Sequence, residues 1–305
     1  MLNLEPELVQ LRDAGRITAV AAAPLIAQER RDTISVYAEV RMMAWVGVML
    51  IVTGAGIILS HNLDRIGPVA IAVVVGAASL ACYAYCVWRR ATVHSEFVLL
   101  LGALLLSADL GYIEHQFHLL GNEWTAHFLV LAFIHCVTAY YFDSAAVLSL
   151  SIAALASWFG IERNIDTFFT DSFATSMRAF ACAAVVGAWR FANPRPQFER
   201  VFDHFIANLA LWGGLILTFH DDTRPVGVLL VIVMAVLVIA YGFRKRQEAF
   251  VIYAYVYAVI AVTTLFIGDL FIHDATMTFF FITLVMIAAI VGLFFLHARF
   301  RAVTE

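Results

Sequence analysis

The chain has 305 residues, of which 63% are hydrophobic and 14% charged, and its mean hydropathy is +0.87. Soluble domains average about 45–50% apolar and about 25% charged residues, so the apolar excess here must face lipid. The formal charge of −4 does not imply a nucleic-acid or other polyanion partner, so none is expected, and the lipid bilayer is the expected surrounding.

Residues 1–41 read as a cytoplasmic helical arm. Pro6 to Ala14 carries Leu8 and Leu11 on one side, with Gly15 as a stop, and Thr18 is placed to cap a second helix that Pro24 kinks or restarts. The arm either docks against the membrane surface or binds a partner as a regulatory hairpin. The first apolar run begins near Met42, behind Glu5, Glu7 and Asp13, a layout unlike that of a cleaved signal peptide.

A membrane-crossing helix needs about 20 mostly apolar residues. Breaking the remaining chain at charges, glycines and prolines predicts ten such segments, at 42–60, 67–88, 96–114, 126–142, 145–161, 172–191, 202–220, 225–243, 249–268 and 276–297. The expected fold is therefore an all-α polytopic bundle with a transmembrane domain over 42–297 and a cytoplasmic tail over 298–305. Only Asp143 and Ser144 separate the fourth and fifth segments, which reads as a tight hairpin of two short helices.

Short cytoplasmic loops collect Lys and Arg. With both termini inside, the inner segments hold fifteen basic residues, including Arg89–Arg90, Arg195, Arg200 and Arg244–Lys245–Arg246, while the outer segments hold only Arg65, Arg163 and Arg224. Removing or adding a span would scatter these clusters over both faces. Segments 1–3 and 7–9 share punctuation: a Trp-Xaa-Gly step (Trp45 to Gly47, Trp212 to Gly214), an outer turn with His, Asp, Arg and Pro, and a basic inner turn. This suggests parallel repeats; a five-plus-five inverted arrangement is the rival.

Charge inside a membrane is expensive and marks function or a structural pair. Asp109 and Arg178 lie at similar depth in the outer thirds of segments three and six, so a buried Asp109–Arg178 pair is expected, with a snorkelling arginine as the alternative. A polar cluster is expected at the outer face, from His61, Asp64, Glu114, His115, His118, His220, Asp221, Asp222, Asp269, His273 and Asp274. His115 and His118, three apart, would share one side of a helix end, a spacing suited to a metal or proton site. The chain has no H-E-x-x-H or C-x-x-C, and no cofactor is expected. His135 lies mid-membrane and needs a packing partner or a proton-relay role. Cys82, Cys86, Cys136 and Cys182 sit in apolar runs and read as packing residues.

Three stretches carry a family resemblance: Leu-Arg-Asp-Ala-Gly-Arg-Ile-Thr at 11–18, Ile-Leu-Ser-His-Asn-Leu-Asp-Arg-Ile at 58–66, and the segment from Leu100 to Leu119 with Ser-Ala-Asp-Leu-Gly-Tyr-Ile-Glu-His-Gln-Phe-His at its heart. Over roughly 8–160 the chain resembles the domain of unknown function 2157 family of bacterial membrane proteins. The resemblance implies a multi-pass protein of the bacterial inner membrane and supplies no activity or catalytic residue. From the residues, the expected function is solute or ion handling through the outer half of the bundle. The alternative is a non-transporting sensor or assembly factor with an envelope protein partner. A membrane-embedded hydrolase comes third, because nucleophile and phosphate-binding motifs are absent.

Overall fold

In hydrocarbon every backbone N–H and C=O must be satisfied within its own segment, which makes the helix the natural element for a chain this apolar. The computed structural model describes residues 10–18, 21, 37–89, 93–121, 125–161, 172–270 and 275–304. Of these, 37–41, 55, 58–66, 93–94, 172, 268–270, 275–276 and 301–304 are described by backbone alone. Among the described residues there is no strand.

Among the described residues ten helices follow the arm: α1 (Tyr37–Ile66), α2 (Pro68–Trp88), α3 (Val93–Phe117), α4 (Ala126–Phe142), α5 (Ala145–Trp158), α6 (Ser172–Ala192), α7 (Glu199–Leu217), α8 (Arg224–Lys245), α9 (Glu248–Leu270) and α10 (Ala275–Thr304). Each predicted segment falls on one of them. The ends differ for local reasons. Helix α1 runs through His61, Asp64 and Arg65 to Gly67, whose φ of 80° and following Pro68 break the helix. Helix α7 starts earlier than expected because a 3₁₀ turn at Pro196–Phe198 leads straight into Glu199. It stops at Leu217, where the Thr218 hydroxyl donates to the Leu215 carbonyl at 2.7 Å. Helix α10 continues to Thr304, through most of the expected tail. In the arm, Gly15 (φ 67°) ends a helical turn and Thr18 accepts the Ala21 N–H at 3.3 Å, as expected; Pro6 and Pro24 lie outside the described residues.

The α4–α5 hairpin closes on the two residues expected. Asp143 adopts the left-handed conformation (φ 58°) and returns its N–H to Ala139, while Ser144 caps α5 by accepting the Val147 N–H at 3.4 Å.

Sequential helices pair: α2 with α3, α4 with α5, α6 with α7 and α8 with α9. Helix α7 is the centre, packing on α5, α6, α8 and α9 and burying Phe202, Leu209, Leu211, Leu215 and Ile216. Small residues let the pairs close. A β-carbon on Gly227 of α8 would lie 2.8 Å from Leu217 backbone, and the Ser176 hydroxyl donates to the Gly213 carbonyl at 2.7 Å across α6–α7. Helix α10 is the opposite case: of its apolar stretch Met277–Phe300 only the last residue, Phe300, is buried.

Among the described residues five helices are long and apolar enough to cross a membrane: Pro68–Trp88, Ser95–Phe117, Arg224–Lys245, Glu248–Ile267 and Met277–Phe300. Met42–Gly54, α4 and α5 are shorter apolar helices. Helices α6 and α7 carry more polar residues, which the bundle tolerates because their packed faces meet protein rather than lipid.

The basic turns gather at one end of the bundle. The α4–α5 turn meets the α6–α7 turn through Asp143 and Arg195. It also shares a cleft with the α2–α3 junction, lined by Cys86, Ser95, Glu96 and Tyr141. Tyr241 near the end of α8 meets Asp203 near the start of α7, and His297 of α10 meets Glu248 of α9.

Candidate functional site

The α2–α3 interface is built on small residues, and that closeness buries Asp109. The Ser79 hydroxyl donates to the Gly102 carbonyl at 2.8 Å, and a β-carbon on Gly102 would lie 2.8 Å from the Cys82 Cβ. Two turns further along α3, a β-carbon on Gly76 would lie 2.8 Å from the Asp109 Oδ2. Glycine at 76 thus leaves the space the carboxyl occupies. Asp109 is 7% exposed, and its Oδ1 is buried with no hydrogen-bond partner.

The next face of α3 meets α4. Ser107 Oγ donates to the Ala103 carbonyl at 3.0 Å and lies 2.8 Å from His135 Nε2. With the hydroxyl proton given to Ala103, the ring Nε2–H donates to Ser107 and Nδ1 holds the lone pair. That Nδ1 is buried without a partner, and His135 is 1% exposed. Two ionisable side chains are therefore enclosed on neighbouring helices, each with one polar atom unmatched.

The expected Asp109–Arg178 pair is not formed. Ser176, Ala179, Cys182, Ala183 and Val186 make the buried stripe of α6. Arg178 lies two residues, about 200°, around the helix from Ser176. It is exposed, and no ion pair among the described residues joins it to Asp109. The two residues match in depth but not in direction.

The outer cluster dissolves into local roles where it is described. Glu114 is 5% exposed, and its carboxylate accepts the Leu120 N–H at 3.2 and 3.3 Å, holding the chain as it leaves α3. Helix α3 stops at Phe117, and His118 takes a left-handed φ of 48°. His115 and His118, both exposed, thus lack the common helical face expected of them. Asp221 pairs with Arg224, whose Nε donates to the Thr218 carbonyl at 3.3 Å, so that turn is self-contained. Asp222 is exposed and His220 half-buried. The side chains of His61, Asp64 and Asp269, and all of His273 and Asp274, lie outside the described residues. Among the described residues no three His, Cys, Asp or Glu side chains gather as a metal would require.

The fullest polar network lies at the basic end, where sequence reading placed only basic loops. Arg190 of α6 donates to Asp203 of α7 and lies 3.5 Å from Glu199; the Tyr241 hydroxyl of α8 donates to Asp203 Oδ2 at 2.5 Å. Beside it Trp189 Nε1 donates to the Tyr140 hydroxyl at 3.2 Å, and that hydroxyl donates to Asn193 Oδ1 at 2.8 Å. Arg195 joins Asp143 and lies 5.3 Å from the Tyr140 ring centre. An apolar cleft of about 500 Å³ between α6, α7 and α8 opens beneath Arg190, Asp203 and Tyr241. The signal was available in the alternation of the spans, which brings the end of α6, the start of α7 and the end of α8 to one level.

Residues 9–148 match the model of the family described as predicted membrane protein, domain of unknown function 2157. The match spans α1 to the start of α5, a little under half of the chain, and contains Asp109, Ser107 and His135; the Arg190–Asp203–Tyr241 network lies beyond it. No curated protein and no solved structure matches the chain.

Proposed function

We propose that this integral membrane protein crosses a bacterial cytoplasmic membrane ten times, with both termini inside, and handles a solute or ion through the half of the bundle remote from its basic end. The observation that carries this is the pair of enclosed, incompletely matched groups, Asp109 and His135, on the adjacent helices α3 and α4, with Asp109 set into the small-residue seam between α2 and α3. An ionisable side chain at that depth is costly to keep. A purely structural carboxylate is met with donors, as Asp203 is. In support of ten crossings, every second turn sits at the basic end, as strict alternation requires. In support of the orientation, that end holds the arginines. Helices α1–α3 and α7–α9 have the same neighbour order, the first touching both others and the second and third pairing tightly, which favours the parallel repeat.

The test is reconstitution of the full chain into liposomes loaded with a pH-sensitive dye, with imposed proton, sodium and potassium gradients. A protein-dependent flux that falls at least tenfold in Asp109→Asn supports the reading. If no gradient gives a flux above protein-free liposomes, the reading fails.

A second reading, assembly with another membrane protein, is favoured by α10. Its Phe279, Phe280, Leu284, Phe294 and Phe295 are all more than 60% exposed, a lateral surface that either lipid or a partner helix covers.

A further inference from the structure

We propose that Asp109 is a proton-binding site: its carboxyl carries a proton at neutral pH, and that proton is the ion the outer half of the bundle handles. The inference deepens the proposed solute or ion handling and rests on it for the second clause only. Asp109 lies eight residues before the end of α3, about 12 Å of helix from that end, so its surroundings are protein and lipid. Oδ1 is buried without a donor, and Oδ2 fills the space that a β-carbon on Gly76 would take, beside a residue with no side-chain donor. A carboxylate needs donors or a cation, and an isolated charge in such a place neutralises instead of persisting.

Among the described side chains, the helices packed on α3 supply no cation at this level. Helix α2 has no Lys, Arg or His, and its Cys82, Tyr83, Tyr85 and Cys86 lie six or more residues deeper than Gly76. Helix α5 has no titratable residue. Helix α4 brings His127, Cys136, Tyr140, Tyr141 and His135, the last engaged with Ser107 on another face of α3. Arg41 of α1 is near the opposite end, and His61, Asp64 and Arg65 occupy its last turns, with side chains outside the described residues. On α3 itself, Tyr112 is one turn on from Asp109 with its hydroxyl buried and unmatched, Glu114 is engaged by Leu120, and His115 is exposed. A neutral acid suits this setting: its carboxyl lies at the Gly76 seam, with Oδ1 buried and unmatched.

The neutral form has a distinctive reactivity. Dicyclohexylcarbodiimide, itself apolar, takes up the acid O–H across one C=N bond to give an O-acylisourea. The acyl group then shifts from oxygen to nitrogen to leave a stable N-acylurea. No atom is lost, so the modified peptide gains the whole reagent mass; a carboxylate held in an ion pair does not enter the reaction. The purified full chain in detergent micelles is treated with this reagent and, separately, with a water-soluble carbodiimide, and the peptides are mapped by mass spectrometry. The expected result is one adduct at Asp109 from the apolar reagent only, declining as pH is raised, with Asp203 unmodified. Infrared difference spectra of the same protein should show a protonated-carboxyl stretch that disappears in Asp109→Asn. Absence of an Asp109 adduct together with absence of that band overturns the proton site, and needs no variant to fold. If proteoliposome flux still depends on Asp109 in that case, ion handling stands with a carboxylate as its ligand. If the adduct forms and flux is indifferent to Asp109→Asn, the bound proton stands and the handling role falls.

Discussion

Asp109 and Asp203 are both carboxylates enclosed between helices, and they differ in their company. Asp203, with a side chain 13% exposed, receives the Arg190 guanidinium and the Tyr241 hydroxyl, and Glu199 stands close by. Asp109 receives nothing at Oδ1 and has a glycine against Oδ2. The first arrangement ties three helices together at the basic end. The second ties nothing, so its persistence in a costly place asks for another explanation. Burial alone does not separate the two roles; the inventory of donors does.

That contrast can be broken by mutation, and the largest effect is expected at Asp203. Asp203→Asn removes the charge that faces Arg190 and leaves one acceptor oxygen for two donors, Arg190 and Tyr241. Breaking an enclosed ion pair by removing one partner costs about 3–5 kcal/mol, and partial solvent access brings this nearer to about 2–3 kcal/mol. A thermal melt in a fixed detergent should fall clearly, and an unchanged melting temperature would remove the structural role assigned to the network.

Gly227→Ala comes next, at about 2 kcal/mol. Its new methyl meets the Leu217 backbone and the Thr218 nitrogen at 2.8 Å, atoms that cannot swing aside. Gly76→Ala meets only the end of the Asp109 side chain, so the same melts should show a smaller loss. Equal losses would mean that the Asp109 carboxyl is as firmly held as backbone.

Ser107→Ala removes the partner of His135 Nε2 and should cost about 1 kcal/mol, in line with hydrogen bonds between membrane helices. Smallest of all is Asp109→Asn, within about 0.5 kcal/mol of wild type, since an amide has nearly the shape of a protonated carboxyl and no donor or cation is abandoned. A melt as low as that of Asp203→Asn would mean that Asp109 has a partner after all, and the contrast would collapse.

The ten helices were legible because lipid-facing length and basic punctuation are one-dimensional properties that a chain displays in order. Gly67–Pro68 and Asp143–Ser144 are turns written in residue type. The far ends of α1 and α10 were less legible, because a polar residue such as His61 or Arg299 is as comfortable in a helix leaving the apolar region as in a loop. The site was legible by depth and not by direction. Asp109 and Arg178 share a level, yet the buried stripe of α6 runs through Ser176 and Ala179 and turns Arg178 away. Arg190, Asp203 and Tyr241 were missed for the complementary reason. Each stands near a helix end where polar residues are unremarkable, and only packing shows that the three meet. The i, i+3 reading of His115 and His118 failed because it presumed a helix that stops at Phe117.

The α4–α5 hairpin has a consequence for the lipid around it. Its helices have 17 and 14 residues, about 26 and 21 Å of length, against a hydrocarbon core of about 30 Å. Its turn is held at the basic end by Asp143 and Arg195, so in the proposed ten-span arrangement the whole shortfall falls on the other leaflet. Hydrophobic mismatch of this kind is relieved by drawing the bilayer thin on one flank. In the proposed ten-span arrangement, such a dimple brings the water on the side remote from the basic end nearer to His135 than its place along α4 would suggest. The thickness of the host membrane thereby becomes a variable that acts on this flank of the bundle alone.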